Sequence, residues 1–487
     1  NLEFSQDTIF LDTIFTNIGS STRTLKVYNR SSEDINIPNI QLSGGESSSY
    51  RLNVDGIPGK IFQDINILAN DSIFVFIETT LDIDNFPNPD NSYLYEEKIV
   101  FDSGNNTQNV NLITLVKDAV FLFPEQNSDG TLETLNLGTD EEPILIEGFY
   151  LDDDQLNFTN EKPYVIYGYA AVAPNKSLTV EAGARIHFHR DSGILVANTA
   201  SIKSNGLPSS DSDLMENQII FEGDRLEPSF ANVPGQWGTI WLTAGSTNHE
   251  FSYTTIKNSI VGILMDGNDG DRTLTLKNVE IYNTSNFGLL ARTGDIYGEN
   301  LIINNSGQSS LSCSLGGKYN FIHSTFVNYW TNNFRIFPAV SIDNILQIGE
   351  NEFITSDLIE ANFINCIIYG NEARELIFTQ SLDATFNFNF KNSLIRFDDP
   401  NGNFEDDLNY DFLNESLYLN IIRNQNPSFL NTSLNDFNIE TDISGADGIA
   451  DPADALTVPF DGNGTSRNVS APDAGAYESI VYPDEET

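Results

Sequence analysis

The chain has 487 residues, and its 24 Lys and Arg against 70 Asp and Glu leave a formal net charge of −46. At roughly 100–200 residues per domain the length suits two to four domains. The charge excludes tight nucleic-acid binding, which needs basic surface to release counterions from phosphate, and an anionic membrane surface repels the chain too.

Hydrophobic residues make up 39% and charged residues 19%, with 33 Phe and 18 Tyr. That is too aromatic for an acidic disordered chain, so a buried core is expected. β-Branched and aromatic strand formers abound, with Asn and Gly for turns, and the composition reads as all-β. The two cysteines, Cys313 and Cys366, lie 53 residues apart with no metal-binding spacing. Buried free thiols are the favoured reading and a disulfide the alternative. No apolar run reaches the ~18 residues of a membrane span. The start at Asn1, without Met or signal sequence, reads as a processed mature form, with any membrane link upstream.

In chain order, residues 1–117 carry short strand-like runs such as TLKVY (Thr24–Tyr28) and SIFVFIE (Ser72–Glu78), separated by turn clusters. Turns about every ten residues predict a β-sandwich. The phrases DTIFTNIGSSTRTLKVYNRSSEDINI and LANDSIFVFIE resemble the immunoglobulin-like modules that bacterial surface proteins carry near their anchors. Such a module would be a spacer or adaptor. Residues 118–170 read as an acidic linker and N-terminal cap.

From about Tyr164 short strands recur. KNSIVGI, KNVEIYN, ENLIINN, IHSTFVN, NCIIYGN and KNSLIRF align a polar column of Asn258, Asn278, Asn300, His323, Asn365 and Asn392, with offsets of 20, 22, 23, 42 and 27. A second column holds Asn283, Asn305 and Asn328. Two polar columns sharing a period in the low twenties predict coils of a parallel β-helix, a solenoid spanning residues 171–487. The amides would sit at left-handed corners and bond from coil to coil. Val261, Ile281, Ile303, Phe326, Ile368 and Ile395 would stack inside, and the offset of 42 reads as two coils, one degenerate.

The stretches LTVEAGARIHFH, SGILVANTASIKSNG and PGQWGTIWL resemble the opening coils of bacterial right-handed β-helix surface proteins. The end, RNVSAPDAGAYES, resembles their closing segment. Together with the N-terminal module they resemble Bacteroidota outer-membrane surface lipoproteins, in which an Ig-like domain precedes a right-handed parallel β-helix. The resemblance implies a lipid anchor upstream of Asn1, a cell-surface location and a C-terminal capping segment.

β-Helices often carry polysaccharide lyases and hydrolases, but no catalytic set is visible. There is no Gly-His-Gly or Arg-x-Lys element, no Asp pair beside any of the four His, and no cluster of basic residues to bind a uronate. His187 and His189 have metal-like spacing without a third ligand and read as a surface pair. Asp266-Gly-Asn-Asp-Gly-Asp271 and residues 398–407 read as solvated acidic turns, with structural Ca²⁺ the alternative. No other cofactor is expected. Trp237 and Trp241, four residues apart, would share one face of an extended strand. Exposed, they could stack on sugars or a partner; buried, they pack a coil against a loop. Tyr329 and Trp330 end a strand and could project at an edge.

The expected function is therefore a non-enzymatic surface lipoprotein, a rigid protein-interaction scaffold within a larger outer-membrane complex for protein assembly or SusCD-like transport. Its partners would be outer-membrane proteins or other surface lipoproteins, with no nucleic acid and no membrane contact beyond the lipid anchor. The alternative is a glycan-binding protein or polysaccharide-cleaving enzyme, and an adhesin is a third class. The irregular segment 332–356 interrupts the period and is the expected docking loop.

Overall fold

The computed structural model describes residues 2–86, 91–102, 106–139, 141–211, 214–267 and 271–482. It is all-β, with large parallel sheets; among the described residues the one α-helix is Pro452–Ala455, and no helix is long and apolar enough to cross a membrane. The chain divides into two compact units, residues 1–120 with 225–231, and residues 121–224 with 232–487.

The first unit holds two five-stranded sheets. One is antiparallel and contains Arg23–Tyr28, Ser72–Thr79 and Tyr50–Val54. In the other, Thr107–Lys117 pairs antiparallel with Ser92–Asp102 and parallel with Thr8–Phe15. Alternation decides which face is buried. In Ser72–Thr79, Ile73, Val75 and Ile77 point inward while Phe74 and Phe76 stay exposed. Both sheets feed one core, Leu25, Val27 and Val75 from the first meeting Ile40, Ile99 and Leu112 from the second. Within that core the Tyr50 and Thr114 hydroxyls lie 3.0 Å apart and satisfy each other.

The second unit is built from three strips of parallel pairs. The first strip runs from Asn157–Phe158 on Ser177–Glu181 to Asn389–Lys391 on Tyr418–Leu419. The second runs from Tyr164–Ile166 on Arg185–Phe188 to Leu394–Ile395 on Ile422–Arg423. The third runs from Leu145–Tyr150 on Tyr169–Val172 to Val340–Asp343 on Leu376–Thr379. The chain visits the strips in rotation, an arrangement consistent with a β-solenoid. The parallel pair of Leu145–Tyr150 on Tyr169–Val172 already lies inside the segment expected as linker and cap.

In-register stacking explains the core: like side chains sit above one another at the strand spacing of about 4.8 Å. Ile256, Ile281, Ile303, Phe326, Ile368 and Ile395 are fully buried in successive coils. Beside them runs an aromatic column, with Phe321 to Phe363 at 5.4 Å, Phe363 to Phe390 at 4.8 Å and Phe390 to Tyr418 at 5.6 Å.

Three expectations are corrected by this register. Asn258 belongs one corner later than the spacing placed it, because Lys257 pairs with Tyr282 and aligns Asn258 with Asn283, 25 residues on. The first-column corner of that coil is Tyr253, at φ 43°, and the interior position expected for Val261 is filled by Ile256. The offset of 42 is one coil: Gly317–Ile322 pairs directly with Leu358–Ile364. That coil is lengthened by residues 329–339 and by an antiparallel hairpin, Ile345–Gln347 with Phe353–Thr355.

The third correction concerns the closing segment. The Gly475 amide donates to the Asn365 carbonyl at 2.8 Å, the Ala476 amide to Thr325 Oγ1 at 3.0 Å, and the Tyr477 hydroxyl to Glu280 at 2.9 Å. These partners lie on coils before the last one, so the segment runs back along the flank. At the last coil, Tyr410 and Phe412 pack on Phe397, and Phe412 also packs on Tyr418.

Candidate functional site

The asparagine columns are corners. Asn278, Asn300, His323, Asn365 and Asn392 all have φ between 48° and 55°, as Asn258, Asn283 and Asn305 have between 56° and 67°. This is the left-handed region that Asn tolerates better than most residues. Asn300 Nδ2 donates to Asn278 Oδ1 at 2.9 Å, Asn305 Nδ2 to Asn283 Oδ1 at 2.7 Å, and Asn283 Nδ2 to Asn258 Oδ1 at 3.3 Å. Asn365 Nδ2 donates to His323 Nε2 at 3.0 Å. Burial, then the Arg467 charge, push the His323 imidazole well below its usual value, so it is neutral and accepts. Asn328 is not left-handed; its buried side chain donates to the Ser306 and Gln308 carbonyls and accepts from the Ser306 amide.

The first column also anchors the closing segment. Arg467 donates to Asn300 Oδ1 at 2.7 Å and to Glu478 at 3.0 Å, and the Asp451 amide donates to Asn365 Oδ1 at 2.8 Å. Asp473 accepts from the Gly448 and Ser479 amides. Burial pushes its carboxyl up to about 6, against the pull of those two amides.

The aromatic candidates separate. Trp237 is wholly buried; its ring stacks on Phe188 at 4.2 Å, and Nε1 donates to the Lys257 carbonyl at 2.9 Å. Trp241 is half-buried, with Nε1 donating to Asp266 at 2.8 Å. The two rings do not share a strand face, because the strand is only Ile240–Leu242 and Gly238 precedes it. A Cβ at Gly238 would sit 2.3 Å from the Tyr169 hydroxyl. Trp330 is buried rather than projecting, its Nε1 donating to Asn333 at 2.7 Å.

Tyr329 stays partly exposed and packs on Phe429 and Phe437. It lines a cleft of about 390 Å³. The lining comprises seven asparagines with Thr331, Thr432, Ser433 and Tyr329, and holds no charged side chain and no histidine. Asn304 Nδ2 donates to Asn435 Oδ1 at 2.8 Å and so ties one wall to the other. Asn305 Oδ1 is buried with no hydrogen-bond partner among the described residues.

The lengthened coil is pinned at its base. Arg335 and Glu375 form a buried ion pair, with guanidinium nitrogens 2.7 and 2.9 Å from the two carboxylate oxygens. Arg335 also donates to the Asn328 and Phe337 carbonyls and to Asn371 Oδ1. The segment nonetheless exposes Phe334 (87%), Ile336 (71%) and, on the hairpin, Phe353 (56%).

The remaining polar candidates have structural partners. His189 Nδ1 lies 2.7 Å from Asp224 and its ring stacks on Tyr167; His187 Nδ1 lies 3.2 Å from the Gly223 carbonyl. Both acceptors come from the next coil, 35 and 36 residues away, and sequence spacing gave no sign of them. Asp266 pairs with Arg292 at 2.6 Å. Residues 268–270 of that acidic loop lie outside the described residues. Asp399 accepts from the Phe404 amide at 2.8 Å. Among the described residues no group of three His, Cys, Asp or Glu could hold a metal ion. Cys313 and Cys366 are free and buried, and burial pushes both thiols up, Cys366 to about 12.

No family model and no curated protein matches the chain. Among solved structures it is similar over 24% of its length to a family 123 glycoside hydrolase from Clostridium perfringens (12% identity, TM-score 0.17) and spans 26% of that chain. It is similar, also over 24% of its length, to the E. coli chaperone DraB (12% identity, TM-score 0.17), of which it spans 55%. A PapD-like domain of human CEP192 gives 13% identity and a TM-score of 0.15, with 24% of this chain and 84% of that one covered.

Proposed function

We propose that this chain is a non-enzymatic, lipid-anchored protein of the outer-membrane surface, a rigid protein-interaction scaffold within a larger membrane complex. In this reading the first unit is an Ig-like spacer and the second a right-handed parallel β-helix. The binding element is the lengthened coil between His323 and Asn365. The neighbouring coil passes from Leu311–Ser314 to Gly317–Ile322 through two residues, whereas this one interposes residues 344–357 and their hairpin. The observation that carries the proposal is the combination of a buried ion pair, Arg335 with Glu375, and three apolar side chains left in solvent on the same coil, Phe334 and Ile336 on either side of Arg335 and Phe353 on the hairpin. Ordering exposed apolar side chains on a rigid support lowers the entropic cost of docking. The partner expected is an outer-membrane protein or another surface lipoprotein.

The test is a mild-detergent pull-down of the tagged full-length protein from native outer membranes, with a photo-crosslinking residue at Phe353. A stoichiometric membrane protein crosslinked through position 353, and lost with Phe334→Ser/Ile336→Ser, is the expected result. Recovery of the protein alone would overturn the proposal.

A further inference from the structure

The cleft beside Tyr329 has a chemistry unlike the rest of this molecule. In a chain of net charge −46, its lining carries amides, hydroxyls and one phenol ring, with neither acid nor base. We propose that this cleft is a binding site for a neutral saccharide.

A phosphate, carboxylate or uronate ligand needs a cation or a set of aligned amide donors to offset its desolvation, and an ammonium ligand needs an acid or an aromatic cage. The lining offers no charged group of either sign. An apolar ligand would strip water from the lining hydroxyls and from the carboxamide atoms not already paired within the protein, and return no hydrogen bonds, which is costly. A polyol is the ligand class that fits what remains. Each hydroxyl donates one bond and accepts two, and each carboxamide presents both a donor and an acceptor. The volume of about 390 Å³ falls within the roughly 300–1,000 Å³ of small-molecule sites.

Asn304 is used up, its nitrogen on Asn435 and its oxygen on the Tyr329 amide. Asn371 is likewise occupied, by Arg335 and by the Trp330 carbonyl. These two fix the walls. Asn305 gives its nitrogen to Asn283 and leaves its buried Oδ1 unpaired among the described residues. A buried carbonyl oxygen without a donor carries a standing penalty, which a ligand hydroxyl would relieve on reaching it. Tyr329, held by Phe429 and Phe437, supplies the aromatic surface on which a sugar ring packs its C–H face. The site is pre-formed: one wall stands on the second asparagine column, the other on residues 432–435, and the Asn304–Asn435 bond joins them.

The cleft shares Thr331 and Asn332 with the lengthened coil, but saccharide binding is read independently of any protein partner and survives failure of the scaffold proposal. The test uses isothermal titration of the full chain with neutral hexasaccharides, the β-1,4-linked polymers of glucose, xylose, mannose and galactose, and with a galacturonate hexamer as the charged control. Binding of at least one neutral hexasaccharide is expected, weakened about tenfold or more by Thr331→Trp, which closes the mouth from an exposed position, and by Asn305→Ala. If Asn305→Ala fails to fold, Thr331→Trp alone carries the comparison. The proposal is overturned if no neutral hexasaccharide binds up to millimolar concentration, if Thr331→Trp binds as tightly as the parent, or if galacturonate binds equally well.

Discussion

Replacing Glu375 by Gln removes the negative charge from beneath the lengthened coil and leaves the Arg335 guanidinium buried. Unpairing a buried charge costs about 3–5 kcal/mol. Arg335 keeps three neutral acceptors, the Asn328 and Phe337 carbonyls and Asn371 Oδ1, so the lower end, about 3 kcal/mol, is expected. At about 1.4 kcal/mol per tenfold the local opening equilibrium should rise by roughly a hundredfold. Because coils contact only their neighbours, the loss should stay local. The readout is native-state hydrogen exchange at the Ala339 and Glu372 amides, which donate to Glu375 at 2.7 and 2.8 Å. Both should lose about two orders of magnitude of protection, while Val27 in the first unit and Ile186 in an early coil keep theirs. Protection unchanged at Ala339, or lost equally at Val27, would refute the reasoning.

The closing segment should hold more firmly in mild acid. The folded pKa of Asp473, about 6, exceeds its ordinary value of 3.8, so the folded state takes up a proton between pH 6 and 4. The resulting stabilisation is full below about pH 4 and is lost as pH rises through 6; burial raises Asp461 and Glu280 in the same direction. Limited proteolysis after residue 440 should be slower at pH 5 than at pH 7.5, with the difference reduced in Asp473→Asn; faster cutting at pH 5 would count against it. Tyr253→Asn should stabilise the fold by about 1 kcal/mol, read as a higher urea midpoint, because a bulky residue at φ 43° gives way to one that tolerates that corner; a lower midpoint would show that the phenol ring contributes more than the strain. Both thiols should stay inert to a thiol reagent in the native protein and titrate as two on denaturation, whereas any fast-reacting thiol would contradict the burial of Cys313 and Cys366.

Corners were legible in the sequence because a left-handed backbone position with a coil-to-coil amide bond admits few residue types, and Asn278, Asn300 and Asn365 announce it directly. The register failed at Asn258 because Tyr253 holds the equivalent corner, and no propensity marks a tyrosine as left-handed. The Trp237–Trp241 pair was misjudged because four residues imply one face only on an unbroken strand, and Gly238 intervenes. The cleft was beyond reach: its walls draw on residues from 232 to 435, and isolated asparagines carry no signature until the coils bring them together. The same holds for Arg335 with Glu375, partners 40 residues apart.

The returning C-terminal segment changes what completing this protein requires. A stack of coils can ordinarily grow one turn at a time as the chain emerges, each new turn resting on the last. Here Glu280, Asn300 and Asn365 meet partners 197, 167 and 86 residues downstream, so the middle turns keep an uncovered flank until those partners have been made. A truncation near residue 440 would spare every turn of the stack and still leave buried asparagines, Tyr282 and Glu280 facing water. Residues 451–478 therefore seal the middle of the stack, and they do so only after every turn in between has been made.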